Sequence, residues 1–375
     1  MVSLNSKLAL VATALVGAFV TIACTNTPGP EATGSGSGSQ SNDPTASSSA
    51  SPGNGSSGEK VLNLYSARHY DSDNQIYDQF TEKTGIQVQL IEGEGDELLE
   101  RMVNEGAQSP ADVYLTVDAG RLWRAEQAGV LQPVDSPVLE SQIPASLRHP
   151  DNLWFGFTKR ARVLVYNPAK VKPTELSTYE ALAEPAWKGR VCVRSSSNIY
   201  NQSLLGSMVE TLGVEKTEAW AKGLVANFAR EPEGGDTDQI KAVAAGQCDV
   251  AIVNHYYWAR MAKSSQPEDQ DVTQKTAIFF PNQGDRGTHV NISGGGVALH
   301  APHRDHAVAF LEFLVTPEAQ EIFSQGNNEY PVVAGVAVDP IVAKLGEFKV
   351  DEVNVASYGR NNPEVVQLVD RAGWR

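Results

Sequence analysis

The chain has 375 residues, with 45 Asp and Glu against 30 Lys and Arg and a formal net charge of −15. That balance argues against nucleic-acid binding, where phosphates demand cations, and favours solubility. The body from residue 60 onward is too long for one small core and suits two lobes.

Residues 1–24 read as an export leader. Lys7 is their only charge, and the apolar run Leu8 to Val20 is too short for an ordinary spanning helix of ~20 residues. Small residues approach Cys24 in Thr21-Ile22-Ala23-Cys24. A Cys directly after such a run is similar to a bacterial lipobox, where it would carry lipid and become the first mature residue. Thr21 stands where that pattern usually has Leu, and plain secretion with an incidental Cys is the alternative. Residues 25–59 are almost wholly Ser, Gly, Thr, Pro, Asn and Ala. Such a segment buries too little apolar surface to offset its ordering entropy, which predicts a flexible tether.

The body then alternates strand and helix patterns, predicting α/β lobes with parallel sheets covered by helices. Val61 to Tyr65 is a strand, Asn74 to Lys83 a helix, and Ile86 to Ile91 a strand with strict period-two alternation. Asp96 to Glu105 is helical, with Leu98, Leu99, Met102 and Val103 on one face. Asp112 to Leu115 is a strand, and Arg121 to Ala128 a short helix stopped by Gly129. Trp154 to Asn167 is one long extended run. A second extended stretch runs from Ala277 to His300, interrupted by Gly294-Gly295-Gly296. Final helices at 306–314, 317–324 and 363–372 would close the first lobe. The predicted lobes are 60–158 with 285–375, and 159–284. Cys192 and Cys248 sit in two potentially adjacent strands of an exported chain, which predicts a disulfide, with buried free thiols as the alternative.

In open sheets of this kind, ligands lie where strands turn into helices. Three such turns carry tyrosine: Ser66-Ala67-Arg68-His69-Tyr70, Ser195 to Tyr200, and Asn254-His255-Tyr256-Tyr257. Phenol titrates near pKa ~10, so only a strongly Lewis-acidic partner makes it a phenolate at neutral pH. Three or four phenolates match Fe(III) and overload Fe(II). His69 adds an imidazole, and Arg160 and Arg260 are placed to offset surplus negative charge. His255 reads as structural. Gly294-Gly295-Gly296 lacks the Lys-Ser or Lys-Thr of a phosphate loop and reads as close backbone approach. His300, His303 and His306 read as a surface helix start, and Glu92 to Glu97 as a solvated helix lead-in.

These motifs, with Asn198-Ile199-Tyr200-Asn201 and Asn328-Glu329-Tyr330-Pro331-Val332, resemble those of bacterial periplasmic ferric-iron-binding proteins, in particular the cyanobacterial FutA type. The resemblance spans essentially the whole body. It implies a two-lobed periplasmic-binding-protein fold of type II, with the ligand cleft between the lobes. It also implies Fe(III) as cargo, delivery to an ABC transporter permease in the inner membrane, a periplasmic location and a monomer. Tyr70, Tyr200, Tyr256 and Tyr257 match the phenolate ligands, His69 a position that ligates in some members, and Arg160 and Arg260 positions near the metal. Two other readings stay open: the tyrosines as an aromatic box for an organic cation, or a small-anion site, and an exported hydrolase using Asp118 or Glu94.

Overall fold

The computed structural model describes residues 60–375. The leader, the Ser/Gly-rich tether and Cys24 lie outside the described residues. The described chain opens with β1 (Val61–Ser66), α1 (Asp73–Thr84), β2 (Gln87–Glu92), α2 (Gly95–Glu105), β3 (Val113–Val117) and α3 (Ala119–Gln127). β4 (Leu131–Gln132), α4 (Pro137–Gln142) and the long β5 (Phe155–Tyr166) follow. Then come β6 (Val191–Cys192), α5 (Ile199–Leu212), α6 (Val214–Ala226), α7 (Asp236–Ala244), β7 (Val250–Asn254), α8 (His255–Lys263) and α9 (Pro267–Lys275). The chain finishes through β8 (Ala277–Phe279), β9 (Val290–Ala298), α10 (Arg304–Phe313), α11 (Pro317–Asn327), β10 (Tyr330–Pro331), α12 (Pro340–Ala343), α13 (Ala356–Arg360) and α14 (Asn362–Ala372).

The strands run in the order β2-β1-β3-β9-β5-β7-β6. β1 pairs in parallel with β2 and β3, and β6 in parallel with β7, as the alternating pattern predicts. β5 joins the two halves. Its first part pairs antiparallel with β9 and β10, and its last five residues with β7. β7 is buried on both faces, so it reads as a continuous apolar run. Ala251 and Val253 face the core shared with β1 and β3, whereas Val250 and Ile252 face a second core under α5 and α6.

Four differences from the sequence expectations have physical causes. The three glycines do not interrupt an extended stretch; they lie inside β9, wedged between β3 and β5. A Cβ on Gly294, Gly295 or Gly296 would come within 2.5, 2.5 and 2.3 Å of the carbonyl oxygens of Phe155, Tyr114 and Leu153. The approach is close, as expected, but it serves sheet pairing. Residues between β8 and β9 form turns, not continuous strand. Val103 is exposed, at the edge of the stripe that buries Leu98, Leu99 and Met102. Lastly, α14 does not close the first half. Val365, Leu368, Val369 and Ala372 make a helical-period stripe that joins Leu204, Leu205 and Leu224 in the second core. Trp374 locks it there, edge-on to Trp220 and Phe228.

Cys192 and Cys248 are disulfide-bonded, with Cα atoms 5.8 Å apart, where β6 and β7 run side by side.

Candidate metal centre

All four tyrosines sit at strand-to-helix turns. Tyr70 lies in the loop between β1 and α1, its carbonyl accepting the Asp73 N–H at 2.8 Å. Tyr200 is in the first turn of α5, whose cap Asn198 accepts the Tyr200 N–H at 3.1 Å. Tyr256 and Tyr257 open α8, which begins the residue after β7 ends. Helix amino termini favour anions, so these positions lower the cost of a phenolate.

The side chains converge through Arg260. Its guanidinium carbon lies 4.9 Å from the Tyr70 ring centre, 4.9 Å from that of Tyr256 and 5.9 Å from that of Tyr257. One cation thus touches phenols from both halves of the fold. The Tyr256 and Tyr257 rings stack at 4.4 Å. Tyr200 completes the group under three arginines, Arg194, Arg160 and Arg162, at 5.4, 5.7 and 5.9 Å from its ring. Tyr70 and Tyr200 line a cleft of about 250 Å³ together with His69, Glu94, Arg121 and Arg194.

Burial pushes the Tyr256 hydroxyl well above the usual phenol range, and the neighbouring phenols push the same way. Burial and Glu329 raise Tyr70, against the pull of Arg68, Arg160 and Arg260. Burial and Tyr257 raise Tyr200, opposed by Arg160. These three phenols are therefore protonated at neutral pH until a strong Lewis acid displaces the protons. Among the described residues no three His, Cys, Asp or Glu side chains gather as a metal site, so the hard donors on offer are phenols.

Beneath the phenols lies a charged layer whose partners the sequence did not reveal. Glu329, fully buried, receives Arg68 Nη2 at 3.2 Å and Arg160 Nη1 at 3.8 Å. Arg68 also holds Asp73 at 2.7 Å and lies 4.7 Å over the Tyr70 ring. Arg160 donates to the Ile292 carbonyl. Arg162 pairs with Asp236 at 2.8 Å and donates to Asn201 Oδ1 at 2.7 Å. Each of these buried arginines is matched by a carboxylate. Arg260 makes no ion pair among the described residues, which leaves its charge available to phenolate. The available signal was Arg160 and Arg162 at alternate positions of a strand that is apolar but for Thr158 and Lys159.

His69 stands apart. Its side chain is 49 % exposed at the cleft edge, with Nε2 4.0 Å from Glu94 Oε1, itself exposed. Replacing His69 with Ala should leave a visible phenolate-to-iron band largely intact and weaken iron binding less than any of the four Tyr→Phe changes; absorbance titration of the variants checks this.

His255 is buried, its Nδ1 accepting the Ala161 N–H at 3.2 Å and its Nε2 donating to the Asn328 carbonyl at 2.9 Å. Burial drops its pKa to about 4, so the ring is neutral and ties α8 to β5. Asp118 is equally committed: it caps α3 and accepts hydrogen bonds from Gly120 N, Ser203 Oγ and Asn291 Nδ2 at 2.9, 2.5 and 2.9 Å. That removes the buried candidate for activating water. His303 and His306 bond Asp112 and the Val61 carbonyl at the start of α10.

Two α/β halves joined by a shared strand, with hard oxygen donors in the cleft, make the architecture of a solute-binding protein. The chain belongs to the bacterial extracellular solute-binding protein family, whose model matches residues 75–350. Iron uptake protein A1 of Synechocystis sp. is 55 % identical over 84 % of this chain and 88 % of its own length. The Fe(3+)-binding periplasmic protein of Serratia marcescens is 32 % identical over 85 % of this chain and 92 % of its own. Among solved structures, Trichodesmium FutA (IdiA) in complex with iron and citrate is 61 % identical with a TM-score of 0.83, over 84 % of this chain and all of that one.

Proposed function

We propose that this chain is the ferric-iron-binding component of an ABC importer, taking Fe(III) in the cleft through Tyr70, Tyr200, Tyr256 and Tyr257 and releasing it to an inner-membrane permease. The observation that carries this is the convergence of phenols from three strand-to-helix turns: Tyr70, Tyr256 and Tyr257 surround Arg260, and Tyr200 lines the same cleft as Tyr70. Hard anionic oxygen suits a hard trivalent cation. Three or four phenolates balance its charge or exceed it by one, and the unpaired Arg260 offsets the excess. An organic cation fits worse, because the rings already carry guanidinium groups against them.

The work is reversible coordination coupled to lobe movement. Proposed lobe limits are 60–158 with 285–361, and 159–284 with the terminal helix α14 and Trp374. A periplasmic location is supported by membership of an extracellular solute-binding family and by a relative named as a periplasmic protein. Lipid anchoring through Cys24, with residues 25–59 as a tether, and a monomeric state are part of the proposal. His69 is left as an optional fifth donor.

Adding ferric citrate to the colourless purified protein should give a visible charge-transfer band, saturating at one iron per chain, whereas Fe(II) under anoxia should give none. Each phenol that coordinates releases a proton. Since burial holds these phenols protonated, affinity should fall steadily as pH falls from neutral. Absence of the band with Fe(III) would sink the reading.

A further inference from the structure

Three of the four phenols stand on two separate turns, after β6 and after β7, and one buried side chain holds both turns. Arg162 lies in β5 directly across from Asn254, the last residue of β7 before α8 opens with His255, Tyr256 and Tyr257. Facing residues of an antiparallel pair send their side chains to the same side of the sheet. The register therefore delivers a guanidinium to the carboxyl end of β7, where that phenol turn begins.

There Arg162 reaches three elements. Its Nη2 donates to Asn201 Oδ1 at 2.7 Å, and Asn201 follows Tyr200 in the first turn of α5. Its Nη1 donates to Asp236 Oδ2 at 2.8 Å and to Asn254 Oδ1 at 3.1 Å. Asp236, the first residue of α7, extends the hold. The same carboxylate oxygen accepts the Asn254 N–H at 2.7 Å, and its Oδ1 accepts Arg194 Nη1 at 3.4 Å. Asn201 in turn donates to the carbonyls of Arg194 and Ser195 at 3.1 and 3.0 Å, which tightens the loop leading into Tyr200. The contacts thus run from one phenol turn to the other through a single guanidinium. Arg162, Asn201, Asp236 and Asn254 are all buried, so a lost contact is not simply replaced by solvent.

Charge alone does not account for this arginine. Its guanidinium carbon is 5.9 Å from the Tyr200 ring centre, farther than those of Arg194 at 5.4 Å and Arg160 at 5.7 Å. It is also paired with Asp236. Without Arg162, Tyr200 would still lie under two cations. What Arg162 supplies is a planar fork whose two terminal nitrogens bind different elements at once, a geometry an ammonium lacks. Groups behind a metal shell that orient its donors typically change affinity by roughly 10–100-fold when lost.

We infer that Arg162 is a positioning residue of the metal centre: through Asn201 on one side, and Asp236 with Asn254 on the other, it fixes the Tyr200 turn against the Tyr256–Tyr257 turn. The inference rests on the ferric reading of the cleft.

The test compares the parent chain with Arg162→Lys, Asn201→Ala and Tyr200→Phe by ferric citrate titration against a competing chelator. Near-UV circular dichroism follows the fold of each iron-free protein. Arg162→Lys keeps the charge beside Asp236 yet should weaken Fe(III) at least ten-fold and displace the charge-transfer band of the saturated complex. Asn201→Ala leaves the Arg162–Asp236 pair in place and should weaken Fe(III) several-fold; it decides the matter if Arg162→Lys fails to fold. In the Tyr200→Phe background, Arg162→Lys should cost less than in the parent, because one of the two turns it holds then carries no donor. Parent affinity and band in Arg162→Lys, or fully additive losses, overturn the inference and leave Arg162 a charge partner. A parent chain without a ferric band is a separate result, which overturns the ferric reading and this inference with it.

Discussion

Changing Tyr256 to Phe is expected to weaken and shift the ferric charge-transfer band, leaving the part carried by the other three phenolates, and to lower Fe(III) affinity by more than the ~10–100-fold typical of losing an outer-shell partner. The substitution is close to isosteric. Tyr256 is 1 % exposed and stacks on Tyr257 at 4.4 Å, a contact Phe preserves. Its loss therefore reports the oxygen alone. Burial and the neighbouring phenols oppose its ionisation, so only a strong Lewis acid makes it a phenolate. Absorbance titration against a competing chelator, with circular dichroism to confirm the fold, measures the effect. A variant that keeps the band and the affinity would show that the phenols are packing residues.

Glu329→Gln should destabilise the protein by about 3–5 kcal/mol, the range for breaking a buried ion pair on one side. The amide keeps the shape but removes the one carboxylate paired with buried Arg160 and leaves buried Arg68 with Asp73 alone. Urea denaturation of the iron-free chain gives the number. The pH dependence has a definite sign. Burial would raise the Glu329 carboxyl, yet Arg68 and Arg160 win and hold it below the usual range. The unfolded carboxyl titrates near ~4.3. Its stabilising contribution is thus fully present above that value and is lost as pH falls through the lower folded value. Glu329→Gln should lack this part of the acid sensitivity. Equal stability of the two chains at neutral pH would mean that the arginines find other partners.

The phenols were legible because the signal is local. A strand pattern, a turn and an aromatic pair at the start of a helix are all contained in residues 249–260, and the same holds around Tyr70 and Tyr200. Glu329 was visible only as one residue of a family motif. Its partner Arg68 lies 261 positions away, and no periodicity in either segment marks an acid as buried. The terminal helix was misplaced for a related reason. The apolar stripe of α14 announces that it packs, but not against which half. That was decided by Trp374 and the surface of α5 and α6, which only the folded chain brings together.

Asn254 ends β7 and His255 begins α8, with no residue between them. One extra residue inserted there would rotate the helix by about 100° and advance it about 1.5 Å. Tyr256, Tyr257 and Arg260 would swing away together, whereas Tyr70 is carried by a loop of six residues between β1 and α1 that Arg68 pins to Asp73 and Glu329. Within this lineage, then, the two ends of the cleft face unequal mutational regimes. The exposed His69 can be exchanged without disturbing the buried pairs beside it, whereas the β7–α8 junction admits substitution but no insertion or deletion.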